Sequence, residues 1–527
     1  MQLSECVKLT HCLARGRVLT MYTVNSLGFV TAFGQAEYMK GFEMSNAPKK
    51  VLLVKMSYEG SFFSTFVHFP AGLGILSESL TFNGIDHEFY DMQVDGSGQS
   101  FYAVIDEFQP DLIGFSMMTF NYLRNYKIID ELKIRYPHIM TIVGGAHAST
   151  FQDKILAESP GIDVVSLYEG EEILKEICHH SPLEKVGGII YRKDGEIVRT
   201  TPRKFEQSLD HYPFPRLEKF RLEDYGTIPI VTSRGCPYPC TFCTVHLTMG
   251  KKVRARSAES AADELAYWQE QDHKLVQLND DMFGFKRGLL EEICGQIRER
   301  GLTIKINLTN GIRADHMDYE ILRLLKEANV TRVAIGVEGG NDRMLDVLRK
   351  AEKMDVIEKA ISDACELGLE VQLFFVLGTP GETEQDIWDS VRVAIKYPVI
   401  AVAFNHLVPF PGTQLYDWVE KHDKFLFKAP EFLNDASSLL NSPTFTTDEL
   451  NVEQRTRMHA MANKTCERHT RKVLNRLWAR KLASRYPLPY AVFLPLMAIA
   501  RNPAVRNFVS KSSLWSSLRQ RTLDNAA

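Results

Sequence analysis

The chain has 527 residues, 45% hydrophobic and 24% charged, with a formal net charge of −4. That length predicts two or three domains, and the near-neutral balance gives no electrostatic reason to expect nucleic acid. No apolar run is long enough to span a bilayer, no signal-peptide pattern stands at the N-terminus, and the nine cysteines show no disulfide-framework spacing, so a reducing cytoplasm is expected.

Residues 1–48 show no clear period and are assigned no function. Residues 49–180 read as a first domain, with strands over 51–56, 87–90, 111–116, 139–143 and 163–167 and helices over 70–83 and 123–136. This alternation predicts βαβ units and a parallel sheet. Open α/β sheets bind ligands beyond the carboxyl ends of their strands. Three strand-end loops are therefore candidate contacts: Ser116-Met117-Met118-Thr119, Gly144-Gly145-Ala146-His147 and Glu169-Gly170-Glu171-Glu172. Each alone is also an ordinary turn, and His147 alone reads more readily as a satisfied or surface histidine than as a ligand.

Residues 181–226 read as a joint. Alternating segments around Lys193-Asp194-Gly195 are a hairpin signal, and the proline-punctuated stretch after it reads as a linker.

Residues 227–423 read as a second domain. Near its start, Cys236-Pro237-Tyr238-Pro239-Cys240-Thr241-Phe242-Cys243 has the spacing C-x3-C-x2-C. The prolines argue against helix and for a loop that wraps its ligands. A 4Fe–4S cube normally takes four cysteines, so three would leave one iron open to a reactant. A structural zinc is the alternative, with His246 as its fourth ligand. Strands are then predicted over 275–278, 304–308, 333–337, 370–377 and 399–404, with helices in the gaps. About six such βα units suggest an open or partial barrel, with functional residues at the carboxyl ends of its strands. Asp280, Asp281, Arg313, Glu338 and Glu382 all fall there. The Asp280-Asp281 pair could serve as acid and base, hold a metal, or cap the next helix.

Residues 424–527 form the tail, whose segment 468–521 holds twelve Lys or Arg and no acid. It contains an apolar, proline-broken insert over 486–500. Two readings fit: an interfacial segment attracted to anionic lipid on the inner face of the membrane, or a helical cap on the barrel with a solvated basic face.

The cysteine spacing, with Phe242 before its last member and a strand-like run over 228–232 leading in, resembles the signature of the radical S-adenosylmethionine enzymes. The three loops of the first domain, taken in order with residues 70–76, resemble the cobalamin-binding domain found upstream of many of them. The resemblance covers roughly residues 49–420. It implies an α/β protein: a Rossmann or flavodoxin-like cobalamin domain, a partial (β/α)6 TIM-like barrel and a mainly helical C-terminal region. It implies that Cys236, Cys240 and Cys243 ligate a 4Fe–4S cluster. Phe242, Asp280 or Asp281, Arg313, Glu338, Gly378, Pro380, Gly381 and Glu382 would contact S-adenosylmethionine. Ser116, Thr119, Gly144, Gly145, His147, Glu169 and Gly170 would contact cobalamin.

One departure stands out. Methionine-synthase-like cobalamin domains carry D-x-H-x-x-G after the first strand, its histidine ligating cobalt; here that stretch is Ser57-Tyr58-Glu59-Gly60-Ser61, and His68 is wrongly spaced. Either the cofactor's lower face lacks a histidine, or the domain kept its fold without cobalamin. The implied activity is generation of a 5′-deoxyadenosyl radical and cobalamin-dependent C-methylation of an unactivated carbon. The alternatives are radical cyclisation or rearrangement without methyl transfer, and a non-catalytic, metal-stabilised binding protein docked on a membrane. The implied partners are a small molecule, with the apolar tail hinting at a hydrophobic one, and an electron donor such as flavodoxin or ferredoxin.

Overall fold

A computed structural model describes residues 50–57, 69–94, 100–435 and 442–485. The first sheet contains β1 (Lys50–Lys55), β2 (Asp86–Asp91), β3 (Leu112–Ser116), β4 (Met140–Gly144), β5 (Val164–Ser166), β6 (Ile189–Lys193) and β7 (Glu196–Arg199). Its order is β2-β1-β3-β4-β5-β6-β7. The first five strands are parallel, and the chain reverses its winding between β1 and β3. That reversal opens the crevice where doubly wound sheets bind ligands. The run Val51-Leu52-Leu53-Val54 is apolar on both faces because helices cover both. Val51 and Leu53 face one hydrophobic cluster, and Leu52 and Val54 face another.

The expected hairpin forms as β6 and β7, with Asp194 and Gly195 both at positive φ. It is joined to β5 by antiparallel pairing and so widens the first sheet. The helix Phe101–Phe108, absent from the sequence reading, is capped by Ser100, whose hydroxyl accepts from the Ala103 amide.

The second sheet begins with β8 (Ile228–Ile230). A short antiparallel ribbon of β9 (Ser233–Arg234) and β10 (Arg254–Ala255) follows. The sheet continues with β11 (Leu275–Leu278), β12 (Lys305–Ile312), β13 (Val330–Glu338), β14 (Glu370–Leu377) and β15 (Ala401–His406). Its order, β15-β14-β13-β12-β11-β8, is parallel throughout. Six parallel strands in chain order with intervening helices are the partial barrel the sequence implied. The helix Val452–Arg485 lies against β15 and the helix Glu384–Lys396. The apolar insert over 486–500 and most of the basic tail lie outside the described residues, as do 58–68.

The joint is packed rather than loose. Phe220 packs against Phe69 and Phe89 with tilted rings, at 4.9 and 4.1 Å between ring centroids. The Tyr225 hydroxyl donates to Asp91 at 2.7 Å, and Lys55 pairs with the same carboxylate at 3.0 Å. One hydrophobic cluster therefore runs from β1 through Phe220 into the barrel, and it sets the two strand-end faces against each other.

Candidate functional site

The ribbon β9–β10 closes the loop that carries the three cysteines. Gly235 makes the turn at φ +91°, where an added Cβ would lie 2.5 Å from the Lys252 carbonyl oxygen. The Cys236 amide donates to Gly250 O at 3.2 Å, and the Thr241 amide donates to Leu348 O at 3.0 Å. All three thiols are free and half-buried. Burial raises their pKa values, that of Cys243 to about 12, while Arg313 and Lys350 pull Cys236 and Cys240 back down. Among the described residues no three His, Cys, Asp or Glu side chains converge at single-ion spacing. His246 is half-buried with Nδ1 unpartnered. Phe242 packs on the cluster of Leu348, Leu407 and Leu415 and anchors the loop to the barrel rim.

Cations line the other side of the loop. The Arg313 guanidinium lies 3.5 Å from the Tyr238 ring centroid and pairs with Asp315 at 2.8 Å. Lys350, itself buried, lies 3.1 Å from Glu352 and 3.7 Å from Glu338. Glu352 also accepts from the Ala314 and Asp315 amides. Glu338 stands at φ +68°, beside a register shift in β13. A non-glycine residue in that region carries about 1–3 kcal/mol of strain, which the surrounding structure must hold in place. Lys350 and Glu352 escaped the sequence reading, because Arg349-Lys350-Ala351-Glu352-Lys353 looks like a solvated charge run.

The two adjacent aspartates part company. Asp280 is buried and accepts from the Thr232 amide and hydroxyl, both at 2.6 Å, and from Ser233 Oγ at 2.7 Å. Its oxygens are spent on the strand that leads into the cysteine loop. Asp281 accepts from the Gly235 amide at 2.8 Å and faces the interdomain cavity. At the end of β14, Glu382 turns back to accept from the Gly378 amide at 2.6 Å. That turn is clamped from outside: Arg455 packs on Gly378, and Glu449 accepts from the Gly381 amide at 3.2 Å. Pro380 and Gly381 are half-buried there.

A cavity of about 520 Å³ lies between the two strand-end faces. Ser116, Gly144, Gly145, Glu169 and Gly170 border it from the first domain, and Ser233, Arg234, Asn279, Asp281 and Asn310 from the second. At Gly145, with φ +92°, a Cβ would meet Met117 O at 2.9 Å. Thr119 and His147 are not on this wall. Thr119 is buried, and His147 is fully buried between Tyr122 and Phe151, at 4.8 and 4.3 Å between ring centroids. Its Nε2 is 2.6 Å from the Tyr126 hydroxyl, and burial lowers its pKa to about 3. It is a core histidine and no ligand to anything in the cavity.

Comparison with known proteins agrees with this geometry. The radical SAM superfamily model matches residues 230–394, and the B12 binding domain model matches residues 64–178. The chain is a radical S-adenosylmethionine enzyme with a B12-binding domain. An uncharacterized methyltransferase of Pyrococcus horikoshii is 27% identical over 60% of this radical enzyme and 70% of its own length. The anaerobic magnesium-protoporphyrin IX monomethyl ester cyclase of Rubrivivax gelatinosus is 25% identical over 63% of each chain. The radical S-adenosylmethionine methyltransferase TsrM of Kitasatospora setae, solved with cobalamin and a [4Fe-4S] cluster bound, shares the fold with a TM-score of 0.63 and 19% identity, over 72% of this chain and 79% of that one.

The cofactors of a radical S-adenosylmethionine enzyme with a B12-binding domain are a 4Fe–4S cluster, S-adenosylmethionine and cobalamin. The residues present fit them. Three free thiols share one loop with cations beside them, and the interdomain cavity has a floor of glycine and serine that a large planar ring can approach. Among the described residues no helix is long and apolar enough to cross a membrane.

Proposed function

We propose that this enzyme transfers a methyl group to carbon, with Cys236, Cys240 and Cys243 ligating the cluster. The observation that carries the proposal is the shared cavity, whose wall joins the strand-end glycines of the first domain to Arg234 and Asp281 beside the cysteine loop. When bound, the cluster and S-adenosylmethionine supply a 5′-deoxyadenosyl radical and cobalamin supplies a methyl carrier. The chain's own part is to bind, orient and keep water out. Ser116, Gly144, Gly145 and Gly170 form the corrin-facing floor, Glu338 and Asp281 hold polar groups of S-adenosylmethionine, and the turn Gly378–Glu382 borders its adenine. Phe242, Asp280, Arg313 and Lys350 shape and charge-balance this wall from behind. The substrate is a small molecule of hydrophobic character, and a flavodoxin or ferredoxin supplies the electron. The enzyme belongs in the cytoplasm, where the basic charge of segment 468–521 suits contact with anionic lipid on the inner membrane face.

Anaerobic protein given cobalamin, a strong reductant and S-adenosylmethionine tests this. The expected products are 5′-deoxyadenosine, dependent on all three cysteines, together with S-adenosylhomocysteine left after each methyl is withdrawn. The likeness to the protoporphyrin cyclase favours a second reading, radical cyclisation. It predicts 5′-deoxyadenosine without S-adenosylhomocysteine.

A further inference from the structure

The base of the cysteine loop is held by side chains of the other domain. Arg234 and Arg254 are cross-strand partners on β9 and β10. Two like charges directly opposite on a ribbon repel, and both are largely buried, with side-chain exposures of 15% and 2%. Glu169, from the strand-end loop after β5, resolves this. Its Oε1 lies 2.7 Å from Arg234 and 2.6 Å from Arg254. Its Oε2 accepts from the Glu206 amide at 3.3 Å. Glu171 takes the other Arg234 nitrogen at 2.8 Å. Two carboxylates of the first domain thus balance two guanidiniums, one of which stands two residues before Cys236.

The same side chains face ligand space. Glu169, Glu171 and Arg234 border the interdomain cavity and also a smaller one of about 130 Å³ that shares part of its wall. A molecule seated in the larger cavity against Gly170 touches the loop that carries both carboxylates. We infer that Glu169 is a positioning residue that couples occupancy of the interdomain cavity to the closure of the cysteine loop. The inference rests on the reading of that cavity as the cobalamin site and of the cysteines as cluster ligands. Its physical content is a linkage: a ligand that holds the Glu169–Glu171 loop in place holds the arginine ribbon in place, and so suppresses opening of the loop. With Glu169 neutral, Arg254 keeps only neutral acceptors at its guanidinium, the Glu206 and Met249 carbonyls.

The test uses the reconstituted holoenzyme and hydroxocobalamin as the probe. Iron release to a chelator is timed with and without saturating hydroxocobalamin, whose binding is read by absorbance. In the wild type, bound hydroxocobalamin is expected to slow release about fivefold or more. In Glu169→Gln, with hydroxocobalamin raised until its absorbance shows full occupancy, the protection is lost. Glu171→Gln, which breaks only one contact, retains part of it and carries the test if Glu169→Gln does not fold. Equal release rates in the wild type with and without bound hydroxocobalamin overturn the inference. So does full protection in either variant, which would mean that the corrinoid shields the cluster simply by covering it. Failure of the folded, iron-loaded wild type to bind hydroxocobalamin would instead bring down the cavity reading and the inference with it.

Discussion

Lys350 faces Glu338 at 3.7 Å and Glu352 at 3.1 Å, a buried cation between two carboxylates at the edge of the cysteine loop. Burial drives its proton off and drives protons onto Glu338, but the mutual attraction opposes both, and the net effect raises the Lys350 pKa. The ammonium therefore stays charged beside thiols whose own pKa values burial raises.

Lys350→Met removes that charge while keeping the length of the side chain. It leaves Glu338 and Glu352 facing each other in a buried site, which is expected to cost about 3–5 kcal/mol. Denaturant unfolding should show that loss, and iron content after reconstitution should fall with it. Unchanged stability and full iron would mean that the cation is dispensable to the loop.

Glu338→Gln separates cosubstrate binding from cluster assembly. The amide keeps the shape but not the charge, so iron content should match the wild type while S-adenosylmethionine binds about tenfold more weakly, or 1.4 kcal/mol. Equilibrium binding to the iron-loaded variant checks this; unchanged affinity would remove Glu338 from the cosubstrate wall.

Gly235→Ala probes the turn into the cysteine loop. The residue sits at φ +91° with a carbonyl oxygen 2.5 Å from any Cβ, so backbone must move before alanine fits. The variant should keep its far-UV circular dichroism and lose most of its iron–sulfur absorbance. Full absorbance would show that the ribbon yields without disturbing the thiols.

Much of this was legible in the chain, for identifiable reasons. β1 announces itself because a strand buried on both faces must be apolar without interruption. The cysteine loop is legible because its chemistry is local. What was missed depends on partners far apart in sequence. Arg234 and Arg254 become neighbours only when the ribbon forms, and Glu169 reaches them from another domain. Arg455 sits in a polar-looking helix, yet it is buried against Gly378 because the helix Val452–Arg485 closes over the end of β14. Asp280 and Asp281 look equivalent as a pair, and only the path of Thr232 and Ser233 shows that one carboxylate is already satisfied.

Glu382 makes stability depend on pH. Burial raises its pKa from 4.5 to about 8, against the opposing pull of the Gly378 amide and Arg455. The folded state then holds a proton that the unfolded chain releases near 4.5, so folding stability falls as pH rises from 4.5 towards about 8. Each unit of difference corresponds to about 1.4 kcal/mol. Glu382→Gln cannot release a proton and should flatten this slope in urea titrations across the window. A variant with the wild-type slope would show that Glu382 is ionised in the fold.

His147 supplies the last contrast, because the family resemblance placed it beside a corrin and the structure stacks it between Tyr122 and Phe151. No histidine borders the interdomain cavity among the described residues. His147→Phe should therefore leave the electron paramagnetic resonance spectrum of bound cob(II)alamin unchanged. It should instead cost about 1–3 kcal/mol of stability, since the Tyr126 hydroxyl loses its buried partner. A spectrum that loses nitrogen coupling on this substitution would place the imidazole on cobalt and require the helix Ala146–Phe151 to turn over when the corrin binds.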